Sequence, residues 1–94
     1  MHTARSYSGV LAIENLVIVS GGYVNTNIDT IECLDIKNKM WIQSNLKLPQ
    51  PLSLHHMALC GEYIYIYHSD HGFWRMNKKD FMASLTSLLS LIHI

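Results

Sequence analysis

The amino-acid sequence predicts an all-β fold: one complete four-stranded sheet, most of a second, and a short C-terminal α-helix. Three observations predict it. Residues 16–41 read as strand, diglycine, polar loop, strand, polar turn and tryptophan. The second half of the chain repeats the strand order of the first when shifted by 47 residues. After Asp80 the pattern changes to a Leu/Ser-rich tail with apolar residues at helical spacing.

The chain has 94 residues, enough for one small domain. Hydrophobic residues make up 49% and charged residues 15%, the latter well under the roughly 25% of an average soluble domain. So apolar a chain buries more surface than it can cover alone. Seven Lys plus Arg balance seven Asp plus Glu. No basic face of the kind nucleic acid requires is expected, and no polybasic membrane patch. The N-terminus lacks a cationic start followed by an apolar core, so no signal peptide is read. The apolar run at 81–94 spans 14 residues, too few to cross a bilayer. A soluble, cytoplasmic protein is the expectation. Cys33 and Cys60 both fall in predicted strands, as small buried thiols rather than a disulfide.

Residues 1–8 form a polar lead-in carrying Arg5. Gly9 to Ile13 is a buried strand, Glu14-Asn15 a two-residue turn, and Leu16 to Ser20 the returning strand. The second run lacks alternation, which implies burial on both faces. Gly21-Gly22 ends it, because glycine accepts positive φ and close backbone approach. Tyr23 to Asp29 is the longest polar loop. Thr30 to Ile36 alternates Ile31, Cys33 and Leu34 or Ile36 against outward Glu32 and Asp35, as a half-buried strand should. Asp35 to Lys39 carries turn chemistry. Met40 to Gln43 is a short fourth strand with Trp41.

Pro49-Gln50-Pro51 reads as a linker, since proline cannot donate to a ladder. His56 to Cys60 is an apolar strand, Gly61-Glu62 a turn, and Tyr63 to Tyr67 an aromatic strand. A loop at His68 to Gly72 leads to a third strand, Phe73 to Asn77. The tail residues Phe81, Leu85, Leu88, Leu89 and Ile92 recur at spacing 3–4, which predicts an amphipathic helix at about 79–91.

The 47-residue shift places Ser6 on Ser53, residues 16–19 on 63–66, and Leu34-Asp35 near Met76-Asn77. A period in the forties with short strands is the signature of a β-propeller blade. The residues also resemble a known motif. Arg5-Ser6, the run into Gly21-Gly22-Tyr23, Glu32-Cys33-Leu34-Asp35, and Trp41 seven residues after Leu34 resemble the kelch repeat. Leu34 stands where the motif usually has an aromatic. The second copy keeps Pro51 to His55 and Gly61-x-Tyr63-Ile64-Tyr65, but has His68-Ser69 in place of the diglycine and no matching tryptophan.

The expected organisation is kelch repeat 1 at 4–47, a partial repeat 2 at 48–80, and the helical tail at 81–94. In such blades Trp41 and Tyr23 are expected to fill the wedge between neighbours, each large ring contributing on the order of 2–3 kcal/mol. Kelch propellers close with more blades than two. The resemblance therefore implies a fragment or truncated product, with edges that need neighbouring blades or self-association.

No residue makes a case for catalysis, and no cofactor or metal is expected. His68-Ser69-Asp70-His71 clusters ligand types, but too few for a tetrahedral site, and reads as solvated loop. His55 and His56 point to opposite faces, His55 serving as a hydrogen-bonding position under the strand. No nucleophile elbow or phosphate-binding loop occurs. Tyr63, Tyr65 and Tyr67 form a period-two stripe, read as packing between blades. The resemblance implies a protein-interaction module, such as the recognition part of a ubiquitin-ligase adaptor with a BTB domain. Contact candidates are Tyr23, Asn25, Asn27 and Asp29 on one loop and His68, Asp70 and His71 on another. A kelch-type propeller enzyme (copper oxidase or sugar-modifying) and a non-functional gene remnant are the alternatives.

Overall fold

The computed structural model describes residues 4–92, with side chains as far as residue 85. Two antiparallel sheets and one helix make up this part. The first sheet has the order β1 (Gly9–Ile13), β2 (Leu16–Ser20), β5 (Thr30–Asp35), β6 (Met40–Lys47). The second is β7 (His56–Cys60), β8 (Tyr63–His68), β9 (Gly72–Asn77). Between β2 and β5 the loop expected at 23–29 folds into a two-stranded ribbon, β3 (Tyr23–Val24) and β4 (Thr26–Asn27). The residues of the lead-in before Ala4 lie outside the described ones.

β1 and β2 have the bounds that their aliphatic runs predict, and pair in register from Ile13↔Leu16 to Gly9↔Ser20. Glu14 makes the turn at φ 53°, a left-handed conformation costing a non-glycine residue about 1 kcal/mol. The turn is tied down where Ile36 N–H donates to Asn15 O at 2.9 Å. β6 runs four residues past the expected Gln43, and a register shift on β5 between Thr30 and Glu32 accommodates it.

The second sheet repeats the first. β7 and β8 start 47 residues after β1 and β2, and Gly61 takes the Glu14 position at φ 60°. The repeat stops at three strands. In place of a fourth, α1 (Lys78–Ile92) leaves β9 directly. Its N-terminus is capped: Asn77 Oδ1 accepts from Asp80 N–H (3.1 Å), and Lys78 N–H donates to Glu62 O (2.8 Å).

The sheets meet along β1 and β7 and diverge toward β6 and β9, and α1 lies in the opening against both. One core results. It joins Ile13, Leu16, Ile18, Ile31, Cys33 and Ile42 of the first sheet, Leu48 and Leu52 of the connection, Ile64 and Ile66 of the second sheet, and Phe81 and Leu85 of the helix. Phe81 is 0% exposed, and Leu85 follows at i+4 on the same face. Burying a phenylalanine so completely contributes about 2–3 kcal/mol. Leu88, Leu89 and Ile92 belong to the helix, but their side chains lie outside the described residues.

Four sequence expectations are corrected. Glu32 and Asp35 are buried, not outward, while Ile36 is exposed, because lead-in and turn partners satisfy both carboxylates. Cys60 is exposed; only Cys33 is a buried thiol, and burial with the nearby Glu32 charge pushes its pKa up to about 12. Tyr23 is 46% exposed and Trp41 only half-buried, both outside the core: Tyr23 belongs to the β3–β4 ribbon, and Trp41 is in register with Leu34 on the face opposite Cys33 and Ile42. Trp74 of β9 packs against that core instead.

Candidate functional site

β1 and β7 begin, and β2 and β8 end, at the same end of their sheets. Backbone hydrogen bonds knit the connecting segments there into a rim. Ser6 and Tyr23 exchange a pair at 3.2 and 2.7 Å, Gly22 N–H donates to Leu52 O (2.7 Å), and Leu52 N–H to Ile28 O (3.2 Å). Leu54 N–H donates to Tyr7 O at 2.9 Å, joining the lead-ins of the two sheets.

The diglycine is where these segments cross. Gly21 sits at φ 58° and Gly22 at φ 107°. A Cβ on Gly21 would lie 2.5 Å from Leu52 O, and one on Gly22 2.7 Å from Ser6 O. Both obstacles are backbone, so no side chain can swing aside. Only glycine permits this crossing.

Arg5 locks the same corner. Its guanidinium donates to Gly21 O (3.0 Å), Thr30 O (2.9 Å), Thr30 Oγ1 (3.2 Å) and Glu32 Oε2 (2.7 Å). Both side chains of the ion pair are buried. Such a pair is weak evidence for net stability, but removing one partner strands the other charge. At the opposite end Asp35 accepts from Asn38 N–H and Nδ2 (3.2 and 2.8 Å), and these bonds hold its carboxyl below the usual carboxylate range.

His55 is buried with Nε2 2.8 Å from Ser20 Oγ, the hydrogen-bonding position expected of it. Burial, then the nearby His68 and His56, lowers its pKa. A serine beside a histidine is nucleophile–base geometry, but Ser20 is fully buried and its hydroxyl also reaches Met57 Sδ at 3.2 Å. No substrate can approach it. The contact joins β2 to the lead-in of the second sheet.

The expected contact residues lie on this rim. Asn25, at φ 62°, is the tip of the β3–β4 ribbon. Asn27 Oδ1 accepts from Ser53 Oγ (2.8 Å), and Asp29 O accepts from Leu48 N–H (2.9 Å). His68 Nδ1 accepts from the N–H groups of Asp70 and His71, and the His68 and His71 rings lie 4.6 Å apart. Among the described residues no three His, Cys, Asp or Glu side chains converge on a metal-sized site. Nor is any helix there long and apolar enough to cross a membrane.

Two rim residues escaped the sequence reading. Tyr7 and Leu54 stand at the same point of their repeats, one residue after Ser6 and Ser53. Both hold left-handed backbone, at φ 58° and 60°, and are 64% and 66% exposed. Bulky residues rarely adopt that conformation, and such strain clusters at functional sites. A cavity of about 370 Å³ opens beside them, floored by Gly9, His55 and Met57. The 47-residue shift was the signal that could have found the pair.

Residues 4–44 match the family model described as the Kelch motif. The match spans β1, β2, β5 and the start of β6, all in the first sheet. No curated protein matches the chain. The kelch match includes Arg5, the diglycine, Glu32 and Trp41, and ends inside β6. The match does not reach the second sheet, whose β7 and β8 follow β1 and β2 at an offset of 47 residues. Kelch repeats are generally interaction modules without catalytic activity.

Proposed function

We propose that this chain is a non-enzymatic protein-binding module whose docking surface is the rim between the two lead-ins. The observation that carries this reading is the repeated, strained and exposed pair Tyr7 and Leu54 beside an open cavity. Tyr23, Asn25, Asn27 and Asp29 flank it on one side, and His68, Asp70 and His71 on the other. Apolar anchors ringed by adaptable polar groups suit capture of a loop or extended peptide of another protein.

Both cysteines are free thiols, which supports a reducing compartment and a cytoplasmic setting. As part of a kelch propeller, the module would serve as the substrate-recognition end of a ubiquitin-ligase adaptor. The further blades come from a longer chain or from other copies.

Comparative capture from cytosolic extract tests the rim. The chain and its Tyr7→Ala/Leu54→Ala variant, matched for thermal stability, are expected to differ in the proteins they retain. Partners of the parent chain should fall at least about tenfold with the variant, the loss of roughly 1.4 kcal/mol. Their ubiquitylation in cells should fall in parallel. Identical partner sets would remove the rim from the reading.

A further inference from the structure

Every histidine among the described residues stands on the rim. His55 lies just before β7, His56 opens it, His68 closes β8, and His71 lies in the loop to β9. Imidazole is the side chain whose charge ordinarily changes between about pH 5 and pH 8. His55 ties the two sheets together. His68 has a different task.

β8 turns into β9 through Ser69, Asp70 and His71, with His68 in register with Gly72. The N–H groups of Asp70 and His71 both donate to His68 Nδ1, at 3.0 and 3.2 Å. In turns of this kind the acceptor is ordinarily the side-chain oxygen of an Asn or Asp. The molecule has that version at its opposite end, where Asp35 Oδ1 accepts from Asn38 N–H at 3.2 Å. On the rim an imidazole takes the place of the oxygen. A neutral ring that accepts at Nδ1 carries its proton on Nε2. A second proton goes to Nδ1, removes the lone pair, and leaves one N–H facing two others.

The titratable groups around this ring are Asp70 and His71 of its own loop, and His55 and His56 of the segment leading into β7. The His68 and His71 rings lie 4.6 Å apart, so a charge on both is repulsive. His68 is also near enough to His55 for its charge to disfavour a proton there. Asp70 supplies the one anion of the loop, and a protonated ring is drawn to that carboxylate and away from the amides.

We infer that His68 is a proton-operated latch on the rim. As a neutral imidazole it fixes the loop 69–71 in one arrangement; protonated, it lets the loop go. Asp70 and His71 are presented to a docked segment only while the latch is closed, so docking weakens on acidification. That consequence rests on the rim being the docking surface proposed above. The latch itself acts in the chain alone, so the two can fail separately.

NMR of the isotope-labelled 94-residue chain between about pH 8 and pH 5 tests it. Long-range ¹H–¹⁵N correlations of the His68 ring are expected to show the Nε2–H tautomer at the upper end. The Asp70 and His71 amides should then shift with the same midpoint as that ring, while the Asn38 amide, capped by a carboxylate, stays still. His68→Asn supplies an oxygen that caps at every pH, and should leave the two amides unresponsive. His71→Asn keeps the imidazole cap, and should leave the response of residue 70 in place. An Nδ1–H tautomer, amides that do not follow the ring, or an Asn38 amide that moves with them would each overturn the latch. So would a pH response that survives His68→Asn.

Discussion

The two sheets follow one strand path, 47 residues apart, and are held by different means. The first is fixed by polar detail: the diglycine crossing and the Arg5–Glu32 pair at its exit, and the Asp35–Asn38 turn at the other end. The second has none of these. Its exit is His68-Ser69, and a Cβ on Gly61 or Gly72 would meet no heavy atom within 4 Å. Its fourth strand is missing, and Phe81 and Leu85 of α1 fill the space instead. The strand path therefore follows from alternation and turn spacing alone. The motif residues govern how neighbouring segments pass one another at the rim.

Substitutions can break that contrast, and the largest effect belongs to the first sheet. Arg5→Ala removes the cation from a buried ion pair with Glu32 and is expected to cost about 3–5 kcal/mol in urea unfolding, enough to unfold a marginal chain. Arg75→Ala, its counterpart on the exposed second face, should cost under about 1 kcal/mol, the loss of one cation–π contact. For the second sheet the sensitive residue is in the helix. Phe81→Ala is expected to cost about 3–4 kcal/mol by opening the wedge.

The glycines sharpen the comparison. Gly21→Ala meets backbone at 2.5 Å as well as a positive φ, and is expected to cost about 2–4 kcal/mol. Gly61→Ala has the same φ penalty with open space around it, and should cost only about 1 kcal/mol. Equal melting temperatures for the two variants would count against the crossing.

A smaller effect is expected with pH. The folded-state pKa of His55 lies below its ordinary 6.5, so the unfolded chain binds the extra proton first. Stability should be constant above that value on this group's account and fall as pH drops below it. His55→Gln should flatten the slope. The Asp35 contribution is separate: its lowered pKa gives stability that is present above 3.8 and lost below it. Asn25→Gly, at the ribbon tip, should change stability least of all, because glycine accepts φ 62° as readily.

Much of the fold was legible in the sequence. β1, β2 and β7 have the bounds their apolar runs predict, and the diglycine announced a close approach that Leu52 and Ser6 provide. Burial was read less well where polar residues were concerned. Glu32 alternates like a solvent-facing residue, and nothing local reveals that Arg5, 27 positions earlier, reaches it. Trp41 and Tyr23 are assigned to the wedge on size, but strand register turns Trp41 to the face opposite the core, and Tyr23 lies on the rim ribbon. The rim loops could be placed from the turns. Tyr7 and Leu54 are aligned by the 47-residue shift, but their left-handed backbone and exposure leave no mark in composition.

The most direct test is a methyl and aromatic NOE map of the isotope-labelled chain. Stacked sheets with a helical plug give one continuous network joining Ile18, Ile31 and Ile42 to Ile64, Ile66 and the Phe81 ring. Two separate networks, one for each sheet, with Phe81 in neither, would contradict it.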